Sequence, residues 1–165
     1  MKNHHVRNNG WGDIGQHFTS FPDSTILTGR SLESTSACIF GANRDSICIE
    51  HMGNFDKDGD TMTNEHRLAI IQMTAALCDK FRLPVNTFSI IYHHWFELST
   101  GKRNNGTGGN KSCPGSNFFG GNKVEDCMTN SLPLVEQALQ STPIPHQPPG
   151  IDKYVAVTAD SLNIR

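Results

Sequence analysis

The chain has 165 residues, 36% of them hydrophobic, with 15 Gly, 8 Pro and a net charge of −2. That length suits one domain with an ordinary core and long loops, and the near-neutral charge offers no basic surface for nucleic acid or anionic lipid. No run approaches the roughly 18 apolar residues of a membrane span, and the start, MKNHHVRNNG, carries no apolar segment of a signal peptide.

In chain order, Gly10-Trp11-Gly12-Asp13 reads as a turn on which Trp11 packs, flanked by Ile14 and Phe18. Residues 18–21 predict a strand, 22–25 a turn and 26–30 the return strand of a hairpin. Arg30, at its end, either closes the hairpin onto its neighbours or reaches a substrate. Ile47 and Ile49 alternate with small or polar residues, which predicts a strand with Glu50 at its end. The acidic run 56–60 invites a calcium reading. An EF-hand loop needs Gly at its sixth position and Glu at its twelfth. Counted from Asp56 these are Thr61 and Arg67, so the run is an acidic surface turn.

Thr63 is a good helix N-cap with Glu65 in the first turn. Leu68, Ile71, Ala75, Cys78 and Phe81 recur at steps of three and four, predicting an amphipathic helix over 64–82 that stops before Pro84. The apolar run 88–92 predicts a buried strand. Strand, helix, strand is an α/β arrangement. Of Phe118 and Phe119, one is expected in the core. Ser131 caps a last helix with Pro133 in its first turn and an apolar face of Leu134, Val135, Ala138 and Leu139. Residues 142–153 crowd Pro143, Pro145, Pro148 and Pro149 into a stiff linker, and 154–165 alternate like a strand.

The five cysteines show no CxxC spacing and no disulfide framework, and Cys48 and Cys78 read as small core residues. The run 88–92 ends in His93-His94, and a Gly- and Asn-rich loop returns to Lys111-Ser112-Cys113-Pro114-Gly115. Imidazole and thiolate suit zinc, and a catalytic zinc keeps one position open for water. Spacing alone leaves both readings open: zinc ligands, or ordinary core and surface residues.

As a set, GWGDIGQHF, SICIEHMGNFD, YHHW and KSCPG resemble the type 2 N-acetylmuramoyl-L-alanine amidases, which share their fold with peptidoglycan recognition proteins and phage amidase endolysins. The resemblance covers most of residues 4–140. It implies an α/β fold, with a central mostly mixed sheet flanked by helices, in an amidase domain over 1–141. The ending VTADSLNIR resembles the opening of a bacterial SH3-like cell-wall binding domain, here residues 154–165. The implied reaction is zinc-dependent hydrolysis of the amide joining N-acetylmuramic acid to L-alanine in peptidoglycan, outside the cell or in its wall, by a monomer without nucleic-acid or membrane partners.

The same resemblance assigns roles. His93 and Cys113 hold Zn2+, with His93 preferred to His94 because it directly follows Tyr92. Glu50 moves the proton, Lys111 stabilises the oxyanion, and Arg30 and His94 face substrate. One branch of the family uses a tyrosine where this chain has Gln16, which fits Glu50 as the proton carrier. A departure is the family's third ligand, a histidine in a His-His-Thr strand upstream of the Gly-Trp turn. This chain starts ten residues before Trp11, and His4 and His5 fall where the family has the end of its first helix. The expectation is therefore a domain missing its first strand and third ligand. The alternative is a peptidoglycan-binding module without catalysis.

Overall fold

The computed structural model describes residues 2–141. The expected linker over 142–153 and SH3-like start over 154–165 lie outside the described residues.

The expected hairpin is present. β1 (Phe18–Ser20) pairs antiparallel with β2 (Ile26–Thr28), and β3 (Ile49–His51) lies parallel to β1 on its other side, giving the order β2-β1-β3. The turn is closed by the Phe21 amide donating to the Thr25 carbonyl and by Asp23 Oδ1 accepting from the Thr25 amide, an Asx-type closure. β3 sits later than its apolar pattern suggests. Its register, with Thr19 opposite Glu50 and Ser20 opposite His51, is dictated by the few residues β1 offers, so Glu50 lies inside the strand. Side chains alternate across a sheet: Ser20 and His51 point to one face, Thr19 and Glu50 to the other.

α1 (Asn64–Phe81) is capped as expected, with Thr63 Oγ1 accepting from the His66 amide at 3.1 Å. It ends in a left-handed Arg82, just before Pro84. Its buried face keeps Ile71, Ala75 and Cys78 of the expected stripe and departs from it elsewhere. Leu68 is 57% exposed and Phe81 41%, while His66, Ala69, Ile70 and Met73 are buried. The face is set by what packs on it: Ser20 of β1 meets His66, and Arg67 lies 4.4 Å over the Phe119 ring. A fully buried histidine inside an apolar face defeats a reading that counts only apolar side chains.

Residues 88–92 are not a strand. A strand needs a neighbour for its backbone groups, and β3 has none on its outer edge among the described residues. Asn86 captures the segment instead: its side-chain oxygen accepts from the Phe88 and Ser89 amides and its carbonyl from Ile90, the competition short polar side chains offer to regular structure. Phe88 is left 84% exposed, with the Arg103 guanidinium 5.3 Å from its ring centroid.

Both Phe118 and Phe119 are buried, in a core with Phe55, Ile70, Ile71, Tyr92, Trp95 and Leu132. The last helix starts earlier than expected. α2 (Val124–Asp126) runs through a π-helical turn, Cys127–Ser131, into α3 (Leu132–Ser141). Asp126 accepts from the Lys123 amide at the start. Ser131 is not a cap; it bonds back to the Cys127 carbonyl and to the Tyr92 hydroxyl. Pro133 has no N–H to continue the α-helical ladder, and the wider turn lies directly before it.

Cys48 is also not a free core thiol. It forms a disulfide with Cys38, tying the loop after the hairpin to the entry of β3. Cys78 and Cys127 are free and buried, and Cys113 is free and exposed.

Candidate active site

Glu50 projects from the sheet face opposite His51. The surrounding protein withdraws enough water to hold its carboxyl above the ordinary range, and the positive charge of Lys111 pulls it back. The same lysine acts on His93, whose ring is held below the ordinary imidazole range first by burial and then by that charge. Glu50 in β3 and His93 in a 3-10 turn thus both feel the charge of Lys111 on the long loop.

That turn, His93–Trp95, is fixed by its last residue. Trp95 is fully buried, donates Nε1–H to the Asn122 carbonyl at 2.8 Å, and accepts the Asn104 and Asn105 amides on its own carbonyl. The long loop is held by amide side chains: Asn110 Nδ2 donates to the His94 carbonyl, and Asn104 and Asn110 bond each other. The His94 amide donates to the Cys113 carbonyl at 2.8 Å, which brings the cysteine turn beside the histidine pair.

The two histidines are used differently. His94 Nδ1 donates to the Lys111 carbonyl at 2.7 Å. Its other edge lies against Gly106, where φ is +88° and a Cβ would stand 2.5 Å from His94 Nε2, so only glycine suits. His94 thus forms part of the loop's own scaffold. Among the described residues, His93 makes no side-chain hydrogen bond.

Arg30 is likewise engaged by the protein. Its Nε donates to the Ile14 carbonyl at 2.8 Å, Nη1 to Thr35 and Nη2 to Asp13. This is the hairpin-closing role. His5 accepts the Gly15 amide on Nδ1 and lies 4.7 Å from the Trp11 ring, and His4 is exposed. The turn at Gly10 holds His5, and among the described residues neither histidine joins a metal-binding group.

Donor chemistry fits zinc and donor number does not. His93 and Cys113 supply imidazole nitrogen and thiol sulfur, both zinc donors. No three His, Cys, Asp or Glu side chains gather into a metal-binding group among the described residues. A depression of about 400 Å³ between α1 and α3, lined by Arg67, Leu68 and Leu134, shares no residue with this cluster.

Sequence reasoning missed a buried polar group on the other sheet face. Ser20 Oγ stands 2.8 Å from both His51 Nδ1 and His66 Nε2. The His51 ring stacks on Phe118 with centroids 5.3 Å apart, and burial followed by the His66 charge pushes its pKa down to about 3. The available signal was a serine and two histidines at positions that the strand and helix periods point inward.

A family profile described as N-acetylmuramoyl-L-alanine amidase matches residues 1–116. Among solved structures, this chain is similar to the N-acetylmuramoyl-L-alanine amidase LysC and to the endolysine N-acetylmuramoyl-L-alanine amidase LysCS, both from Clostridium intestinale URNW. Each is 25% identical with a TM-score of 0.45, over 50% of this chain and 57% or 56% of theirs. The chain thus spans little more than half the length of those relatives. Comparison with curated proteins found no match.

Proposed function

This chain belongs to the N-acetylmuramoyl-L-alanine amidase family, and from that premise we propose that it serves a zinc-dependent hydrolysis of the amide between N-acetylmuramic acid and L-alanine in peptidoglycan. The observation that carries the reading is the hydrogen bond from the His94 amide to the Cys113 carbonyl, which seats the thiol turn beside the histidine pair, with the Lys111 charge felt at both Glu50 and His93.

The proposed roles follow from each group's surroundings. Glu50 has a carboxyl made more basic by desolvation; it takes a proton from the attacking water and returns it to the leaving nitrogen. The C–N bond breaks, leaving a muramoyl carboxylate and the free amine of L-alanine. Lys111 lies where negative charge develops on the carbonyl oxygen. His93 and Cys113 are the donors this chain offers to zinc, which when bound supplies an acidified water and a Lewis acid. A third donor has to come from outside the described residues. The Cys38–Cys48 disulfide is compatible with work in an oxidising compartment such as the cell exterior.

The test is release of new L-alanine amino termini from purified muropeptide by the full chain with zinc. Glu50→Gln is expected to lose about 10²- to 10⁴-fold in kcat without losing its fold. A variant as active as the parent sinks the role of Glu50. The incomplete donor set among the described residues favours a second reading, a module that binds peptidoglycan without cutting it. Sedimentation with cell walls and no amino-terminus release would favour that reading.

A further inference from the structure

The acidic turn that fails as a calcium loop has another use. We propose that Asp56 is a positioning residue that clamps the Cys113 turn, one carboxylate oxygen accepting the Ser112 hydroxyl and the other the Ser116 amide, each at 2.8 Å. These two partners bracket Cys113-Pro114-Gly115, so one side chain fixes both ends of the segment that carries the thiol.

Neighbouring contacts make the clamp specific. The Lys57 amide donates to Ser116 Oγ and the Asn117 amide to the Phe55 carbonyl, both at 2.9 Å. Gly115, at φ +129°, lies so close to the Phe55 backbone that any Cβ would collide with it. Phe55 is itself buried in the core. On the other side, Asn122 Nδ2 donates to the Ser112 carbonyl and the His94 amide to the Cys113 carbonyl. Asp56 follows β3, the strand of Glu50, by only a few residues. The clamp therefore ties the proposed proton carrier and the proposed thiol ligand to one short stretch of chain. A cation site in the acidic turn is a poorer account: Asp60 accepts the Asn54 amide and the Gly59 amide bonds the Asp56 carbonyl, so the turn is closed by its own hydrogen bonds.

This inference rests on reading Cys113 as a metal donor, and its test is kept separate from activity. Cys78 and Cys127 are buried, so iodoacetamide alkylation of the native full chain reports Cys113. Loss of a hydrogen-bonded carboxylate anchor is expected to speed alkylation roughly tenfold in Asp56→Ala. Asp56→Asn, whose amide oxygen still accepts the Ser116 N–H, is expected to return the rate to within about threefold of the parent. Lys57→Ala, which removes no clamp atom, should leave the rate unchanged. An Ala variant that alkylates at the parent rate, or an Asn variant as fast as Ala, overturns the clamp. If Asp56→Ala does not fold, Ser112→Ala decides: removal of one arm should raise the rate about threefold, and no rise overturns the proposal. A parent chain that neither retains zinc nor releases amino termini would sink the amidase reading, while the thiol rates would still judge the clamp.

Discussion

Two halves of this molecule are held together in different ways. The hairpin, β3 and α1 rest on ladder and helix hydrogen bonds, and their polar groups are turned inward: Ser20 bridges His51 and His66 under the sheet. The segment from His93 to Ser116 has almost no regular structure. Its shape comes from Asn104, Asn110 and Asp56 side chains bonding backbone and from one fully buried anchor, Trp95. Of the proposed site groups, only Glu50 lies in the regular half. Irregular backbone carries a thiol, an imidazole and an ammonium group in one loop, and long-range contacts hold that loop in place.

The comparison breaks first at the anchor. Trp95→Ala should cost about 3–5 kcal/mol in chemical denaturation, because the irregular half has no ladder to fall back on. A loss below about 1 kcal/mol, within the range of ordinary surface changes, would mean that the loop holds itself. In the regular half, Ser20→Ala leaves the buried His66 and the half-buried His51 without their hydroxyl partner and should cost about 1–3 kcal/mol. An unchanged unfolding midpoint would show that a water replaces the hydroxyl.

Acid sharpens the same contrast. The folded pKa of His51 is about 3, below its ordinary value of 6.5, and that of His66 is also lowered, chiefly by burial. Above pH 6.5 both rings are neutral folded or unfolded. As pH falls from 6.5 towards 3, the unfolded chain binds protons the fold refuses, so stability declines across that window. The raised Glu50 opposes this in part. Denaturation midpoints that stay flat between pH 7 and 4 would contradict the buried-neutral account. The smallest effect is expected at Lys111. Its charge lowers the Glu50 pKa, so Lys111→Ala should move the acid limb of any kcat/KM profile to higher pH. A limb that moves down or stays put would separate the two groups.

The legible parts were local. Strand alternation with a Pro-Asp turn announced the hairpin, and Thr63 with Glu65 announced α1, because both signals lie within a few residues of what they specify. The grouping of His93, Lys111 and Cys113 in one loop was visible in the same way. Residues 88–92 have the composition of a strand, yet composition carries no information on whether a neighbouring strand exists, and Asn86 took the amides instead. The Cys38–Cys48 bond had no spacing signature, since a disulfide depends on where two backbones meet. Only the tertiary structure engaged His94 and Arg30 with backbone carbonyls, left the His93 ring without a hydrogen bond among the described residues, and joined Ser20, His51 and His66. The sequence by itself determined the helix, the hairpin, the donor types and the family; the partners of each polar group were decided by contacts between residues up to 60 positions apart, which no local period encodes.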